Sequence, residues 1–192
     1  MNRIHLSDIH VDDFAEQDIA PCLDYWYRSP STLMESMNVD VDKLPSERRM
    51  RELLTILVRW NRSGAAPAPI LAIRHMGRAI GVHELTHLSP GCSAVMHAHI
   101  WQSRYRGIGI GSVSYPAAMR IFFDRFALKC IRFETPIDNL SAQSVKRKLG
   151  IEPQGEGTID MPMLRTPVKT ISYRVLRNEL EDIEKFVNPI AG

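Results

Sequence analysis

Three glycines at alternate positions follow an arginine in the stretch Tyr105-Arg106-Gly107-Ile108-Gly109-Ile110-Gly111-Ser112. Glycine admits φ > 0 and lets a ligand approach backbone N–H groups, while the N-terminus of a following helix adds partial positive charge. Such a stretch can hold a phosphate. Just upstream, His97 and His99 lie at alternate positions of an apolar run, so the period of two puts Val95, His97, His99 and Trp101 on one strand face. Neutral imidazole can take a proton near neutral pH, which makes His97 the first candidate base and His99 the second. Glu84 and Glu134 are further carboxylate candidates. Packed polar residues on a sheet face remain an alternative, and half a metal site is another, although no third ligand is identifiable.

Spacing decides which phosphate loop this is. A dinucleotide fingerprint needs a glycine where Ser112 or Ser114 stands, and a Walker loop needs a lysine, yet none occurs between Lys43 and Lys129. A kinase loop fails on the same missing glycine, and 192 residues is short for a kinase. An Arg/Gln-x-x-Gly-x-Gly/Ala loop of the kind that holds the pyrophosphate of coenzyme A is left, with Arg106, Gly109 and Gly111 in place. A purely structural glycine turn is the alternative.

The elements that must position these residues follow from periodicity. His5 to Val11 reads as a first strand, with Asp12-Asp13 as N-cap of a helix from Phe14, in a region broken by Pro21 and Pro30. Ser46 starts a helix to about Trp60 whose apolar face is Met50, Leu53, Leu54, Leu57 and Val58. After a loop from Asn61 to Pro69, an antiparallel meander is predicted over Ile70 to Arg74, Ile80 to Leu88 and Ala94 to Trp101. A helix from Val113 to Phe126, a strand from Lys129 to Glu134 and a short helix ending at Lys148-Leu149-Gly150-Ile151 come next. Strands at Glu152 to Gly157 and Thr170 to Leu176 and a helix from Asn178 to about Phe186 close the chain, giving an α+β pattern with a largely antiparallel sheet.

Between about Ile70 and Gly157 these parts resemble the GNAT superfamily of acyl-CoA-dependent N-acyltransferases. Tyr105 to Ser112, Leu128 to Ile131, Asn139 and Lys148 to Ile151 fall in the family's order and spacing, and Asp138-Asn139 with Lys-Leu-Gly looks most like the ribosomal-protein N-terminal acetyltransferase branch. The resemblance implies a GNAT fold over residues 1–192, with an acyl-CoA-binding core at 70–157 and a helical acceptor-side region at 1–60. It implies acetyl-CoA or another acyl-CoA as co-substrate, a small-molecule or peptide amine as acceptor, and direct attack in a ternary complex. Arg106, Gly107, Ile108, Gly109, Ile110, Gly111 and Ser112 would take the pyrophosphate. Trp101 and Asn139 would meet the pantetheine arm, although Asn139 also suits a plain helix cap. His97, His99 or Glu84 would serve as base, directly or through water.

One position departs from the family. Lys146 stands where many members have a tyrosine that protonates the leaving thiolate, and Ala142 stands where the ribosomal branch often has a serine. Ser141, Ser144, the lysine itself or water could take that part. A non-catalytic acyl-CoA-binding sensor of the same fold is therefore the second reading. Acceptor choice is expected around Tyr25 to Trp60 and Gly157 to Val168, with Tyr25, Trp26 and Tyr27 as pocket or core aromatics.

Composition narrows the rest. A net charge of +2 is too small for a nucleic-acid footprint, and the cluster Arg48, Arg49, Arg51 and Arg59 reads as a solvated helix face. Neither a secretory leader nor an apolar run of about 20 residues is seen, so no membrane partner is expected. Cys22, Cys92 and Cys130 lack the spacing of a disulfide frame or zinc site, which suggests a reducing cytoplasm. Pairing of two copies is compatible with the family, but no interface is selected.

Overall fold

A two-residue turn at Met76 and Gly77, with φ of 51° and 77°, joins the first two strands of the meander, as a tight hairpin with right-handed twist requires. These strands are β2 (Ile70–His75) and β3 (Arg78–Ser89), and β4 (Ser93–Ile100) follows. The glycine stretch leads into α4 (Ile110–Arg125), then β5 (Cys130–Pro136), α5 (Leu140–Lys148), β6 (Pro153–Ile159), β7 (Val168–Leu176) and α6 (Leu180–Val187). Ahead of the meander lie β1 (Ile9–Asp13), α1 (Ile19–Arg28), α2 (Ser31–Ser36) and α3 (Glu47–Ser63). The computed structural model describes residues 4–63 and 68–187. Part of the predicted loop from Asn61 to Pro69 lies outside the described residues.

The strands form one seven-stranded sheet in the order β1-β2-β3-β4-β5-β7-β6, antiparallel except between β4 and β5. One face is covered by α4, α5 and α6. Met119, Phe122 and Phe123 of α4 meet Met96, Ile131 and Phe133 there, each almost fully buried. Complete burial of such a side chain stabilises by about 1.5–3 kcal/mol before entropy is counted. The opposite face carries the N-terminal helices: Cys22, Leu23 and Tyr25 of α1 and Leu54 and Val58 of α3 pack on Ile70, Ala72, Val82 and Trp101. The sheet is thus a partition between two apolar clusters, and residues alternating along β3 and β4 enter one or the other.

Several sequence expectations are corrected at the N-terminus. The first strand runs Ile9–Asp13 instead of His5 to Val11, with a 3-10 turn at Leu6–Asp8. Asp12 and Asp13 belong to this strand and cap no helix. Their carboxylates are drawn to Arg74, at 2.6 Å from Asp12, and to Arg125, at 2.6 Å from Asp13, which outweighs the local capping preference. Asp18 completes the cluster with two bonds to the Arg74 guanidinium, at 2.9 and 2.8 Å, and the first α-helix begins only after it. Pro21 sits in the first turn of α1, where its missing N–H costs little, and does not break the helix. The next long helix outruns Trp60 to Ser63, and the helix after the glycine stretch starts at Ile110, three residues before the predicted Val113.

Candidate functional site

β4 and β5 pair over only three residues, Ser93–Cys130, Ala94–Ile131 and Val95–Arg132. Beyond Val95, β4 continues against β3 as far as Ile100 while its other edge loses the ladder. A split sheet of this kind leaves main-chain donors and acceptors facing a gap. At its far end Arg106 bridges across the open edge, donating from Nε to the Ile100 carbonyl at 2.9 Å and from Nη2 to the Trp101 carbonyl at 3.1 Å. The Trp101 N–H donates to Ile80, so both main-chain groups of Trp101 are engaged within the protein, and its ring is buried against α1 and α3.

The glycine stretch joins that edge to the α4 N-terminus. Gly109 is the N-cap residue at φ 97°, and Gly107 has φ 75°, both in the left-handed region. Gly111 has a different reason to be glycine: a Cβ there would lie 2.9 Å from Val145 Cγ2, so α4 approaches α5 more closely than any side chain permits. Among the described residues the backbone N–H groups of Gly107, Ile108, Gly109, Ile110 and Gly111 donate to no protein acceptor, and Ser112 N–H turns back to the Gly109 carbonyl at 3.0 Å. Ile110 and Gly111 are buried. Consecutive N–H groups of this sort at a helix start form an anion cradle. Asn139 is the N-cap of α5, its Oδ1 accepting from Ala142 N–H at 3.0 Å.

On the side of the sheet that faces α1 to α3, the base candidates come together. Glu84 is opposite His97 in the β3–β4 register. His97 Nε2 lies 2.8 Å from Thr86 Oγ1, and His99 Nδ1 lies 3.2 Å from the Tyr25 hydroxyl. His99 Nε2 is 3.9 Å from Glu84, and the Trp26 ring stands edge-on to the His99 ring at 5.0 Å. Burial, then the neighbouring positive charges, pushes both imidazoles down to about 4, so they are neutral at pH 7. Glu84 keeps 37% of its side-chain surface, opening on a cavity, and the apolar surroundings raise its carboxyl above the ordinary range. Burial also drives the Tyr25 hydroxyl and the Cys22 thiol up to about 12. Glu134 stands apart from this group, accepting from Thr170 on β7 at 3.3 Å.

The cavity beside Glu84 holds about 90 Å³ and is walled by Cys22, Trp26, Leu44, Met50, Leu54 and Met163. Leu44 and Met163 fall within the two stretches expected to choose the acceptor, although neither was singled out there. They are brought in because the segment after α2 is pinned to the one before β7: Asp40 N–H donates to the Met163 carbonyl at 2.8 Å, and Lys43 Nζ to the Leu164 carbonyl at 2.7 Å. Of the three aromatics, Tyr25 is core, Trp26 lines the cavity, and the Tyr27 hydroxyl donates to the Pro45 carbonyl at 2.6 Å.

Behind the split, on the α4 side, lies a second polar group. His83 Nε2 is 3.0 Å from Ser114 Oγ, and its ring stands edge-on to Tyr115 at 4.9 Å. Burial and the Lys146 charge push this imidazole down to about 3. Lys146, 3% exposed, donates to the Tyr115 hydroxyl at 3.1 Å. Among the described residues, neither a transmembrane-length apolar helix nor a cluster of three metal-ligating side chains occurs.

Solved structures that superpose on the chain include acetyltransferases of low sequence identity. Mycobacterium smegmatis RimJ in complex with a coenzyme A disulfide superposes with a TM-score of 0.71 at 15% identity, over 94% of this chain and 88% of the other. Ribosomal-protein-S5-alanine acetyltransferase from Vibrio fischeri gives 0.70 at 15% identity, over 90% and 95%. Spermidine N-acetyltransferase from Vibrio cholerae, bound to coenzyme A and spermine, gives 0.70 at 14% identity, over 91% and 99%. No protein-family model and no curated protein matches the sequence. The chain has the GNAT fold.

Proposed function

We propose that a protein with this fold and this loop is an acyl-CoA-dependent N-acyltransferase, in its simplest form moving an acetyl group from acetyl-CoA to a primary amine by direct attack in a ternary complex. The observation that carries the reading is the run of unclaimed N–H groups from Gly107 to Gly111, set at the mouth of the β4–β5 split. That run suits a diphosphate, and the unladdered β4 edge suits an amide-bearing arm laid along it. Arg106 to Ser112 are assigned to the diphosphate. Two of the five Arg106 N–H donors hold the Ile100 and Trp101 carbonyls, which leaves three for the diphosphate, and Asn139 can offer its amide nitrogen to the arm while its oxygen caps α5. The solved relatives that hold coenzyme A and act on ribosomal proteins or spermidine support the class.

The acceptor amine is assigned to the other face of the sheet. Its proton must be lost, and an α-amine, with pKa about 7.7–8.0, needs less help than a lysine amine at about 10.4. Imidazoles held near 4 are weak bases, whereas burial raises the Glu84 carboxyl above its ordinary range and the cavity opens on it, so Glu84 becomes the leading base, with His99 and His97 as the neutral hydrogen-bonding groups that orient amine or water. Residues 1–60 form the acceptor side and 70–157 the acyl-CoA side of one unit. Three free cysteines suit a reducing cytoplasm. Pairing of two copies would use the open edges of β1 or β6, and size-exclusion with light scattering tests it.

Free-thiol release from acetyl-CoA over a panel of peptides, polyamines and aminoglycosides tests the function. Acceptor-dependent release, lost in Gly109→Asp, supports the transferase. Saturable acetyl-CoA binding with no release over the panel favours the sensor reading.

A further inference from the structure

We propose that Lys146, oriented by Tyr115, is the catalytic residue that receives the leaving sulfur as an anion and supplies its proton. The inference rests on the N-acyltransferase reading above and concerns the position where this chain departs from the family pattern it resembles. Lys146 projects from α5 into the interior at the point where the sheet divides. Its Nζ lies 5.1 Å from the centre of the Phe133 ring, and Phe133 is the first β5 residue beyond the last pair with β4. Its charge is felt by His97 on β4 and His83 on β3. The same atom lies 4.6 Å from the centre of the Tyr115 ring.

A buried ammonium ordinarily has a carboxylate beside it, because the cost of removing the charge from water is several kcal/mol. Here no ion-pair partner exists among the described residues. The titratable groups near Lys146 are Tyr115 from α4 and His83 from β3 on its own side of the sheet, with His97 of β4 feeling its charge from the other face, and burial holds both imidazoles neutral. Two aromatic faces and one hydroxyl hold the cation. Since Lys146 donates to Tyr115, the phenol keeps its own O–H, and the ammonium keeps two N–H groups. Three donors and one full positive charge at the head of the split are complementary to a small anion that forms there.

When amine nitrogen bonds to the acyl carbon, the carbon–sulfur bond breaks and its electron pair stays on sulfur. Lys146 gives that sulfur a proton and regains one from solvent, while the proton lost by the amine leaves through Glu84, so protons balance. A lysine in place of tyrosine stabilises the sulfur anion by charge as well as by proton donation.

Reduced coenzyme A itself is the probe. Its bound thiol is titrated by thiolate absorbance in wild type, Lys146→Met, Lys146→Arg and Tyr115→Phe, with affinity measured by calorimetry at a pH where the thiol is protonated. An opposite charge at close range lowers an acid's pKa by about 1–3 units, so the bound thiol should titrate that far below an ordinary thiol at about 8.5. Lys146→Met should return it to the free value or above, Lys146→Arg should retain most of the shift, and Tyr115→Phe should keep part. A wild-type bound thiol that titrates with free coenzyme A, or a shift that survives Lys146→Met, overturns the proposal. Absence of any coenzyme A binding overturns instead the N-acyltransferase reading on which it rests.

Discussion

Acidification should destabilise this protein well above the pH at which its carboxylates titrate, because one buried and two half-buried imidazoles are held in neutral form. His97 and His99 are held near 4 and His83 near 3, whereas an unfolded histidine titrates at about 6.5. The unfolded chain therefore binds more protons between these values, and the stability that the histidines confer is complete above about 6.5 and is lost as pH falls toward 4. Between about pH 7.5 and about pH 5 the loss is about 2 kcal/mol per histidine. Three such losses are several kcal/mol, a large part of the roughly 5–15 kcal/mol that holds a domain together. Glu84, whose folded pKa is raised, works in the opposite direction, recovering stability as pH falls, but for one partly open carboxylate. Urea unfolding followed by tryptophan fluorescence at stepped pH gives the slope directly. His97→Gln with His99→Gln should remove about two thirds of it. A midpoint that does not move between neutrality and about pH 5, or a slope unchanged in the double variant, would refute the reasoning that these rings are neutral and desolvated.

Other outcomes follow from single contacts. Glu84→Gln should lower kcat/KM by about 10²–10⁴-fold while leaving acetyl-CoA affinity within a few-fold, and an unchanged rate removes Glu84 from the proton path. Arg74→Ala should cost about 3–5 kcal/mol by thermal or urea unfolding, since it strands the buried Asp18 carboxylate; Asp18→Asn in the same background should restore part of the loss. Gly111→Ala should cost about 1–3 kcal/mol through the clash with Val145 and should weaken coenzyme A binding as α4 and α5 are forced apart, whereas Val145→Ala should relieve both effects.

Local pattern made the core of this fold readable, and long-range electrostatics made the rest opaque. Alternation placed Val95, His97 and His99 on one face, and the glycine spacing pointed to the run of unclaimed N–H groups, because both depend on residues adjacent in the chain. Asp12 and Asp13 looked like a helix cap since nothing nearby announces that Arg74 and Arg125 will claim their carboxylates from far along the chain. Arg106 was legible as a loop arginine but not as the clasp on the Ile100 and Trp101 carbonyls. His83 escaped notice because it points to the α4 face, away from His97, and only the packed sheet shows that Ser114, Tyr115 and Lys146 gather around it. Lys146 itself was visible as a departure, while its isolation from any carboxylate is a property of the folded interior.

Titration calorimetry with acetyl-CoA bears most directly on the central claim that the cradle at Gly107 to Gly111 holds an acyl-CoA diphosphate. One saturable site should be seen, abolished by Gly109→Asp, which adds both a side chain at φ 97° and a negative charge to the cradle, in a variant that remains folded by circular dichroism. Absence of binding to the wild-type protein, or binding that Gly109→Asp leaves intact, would contradict it.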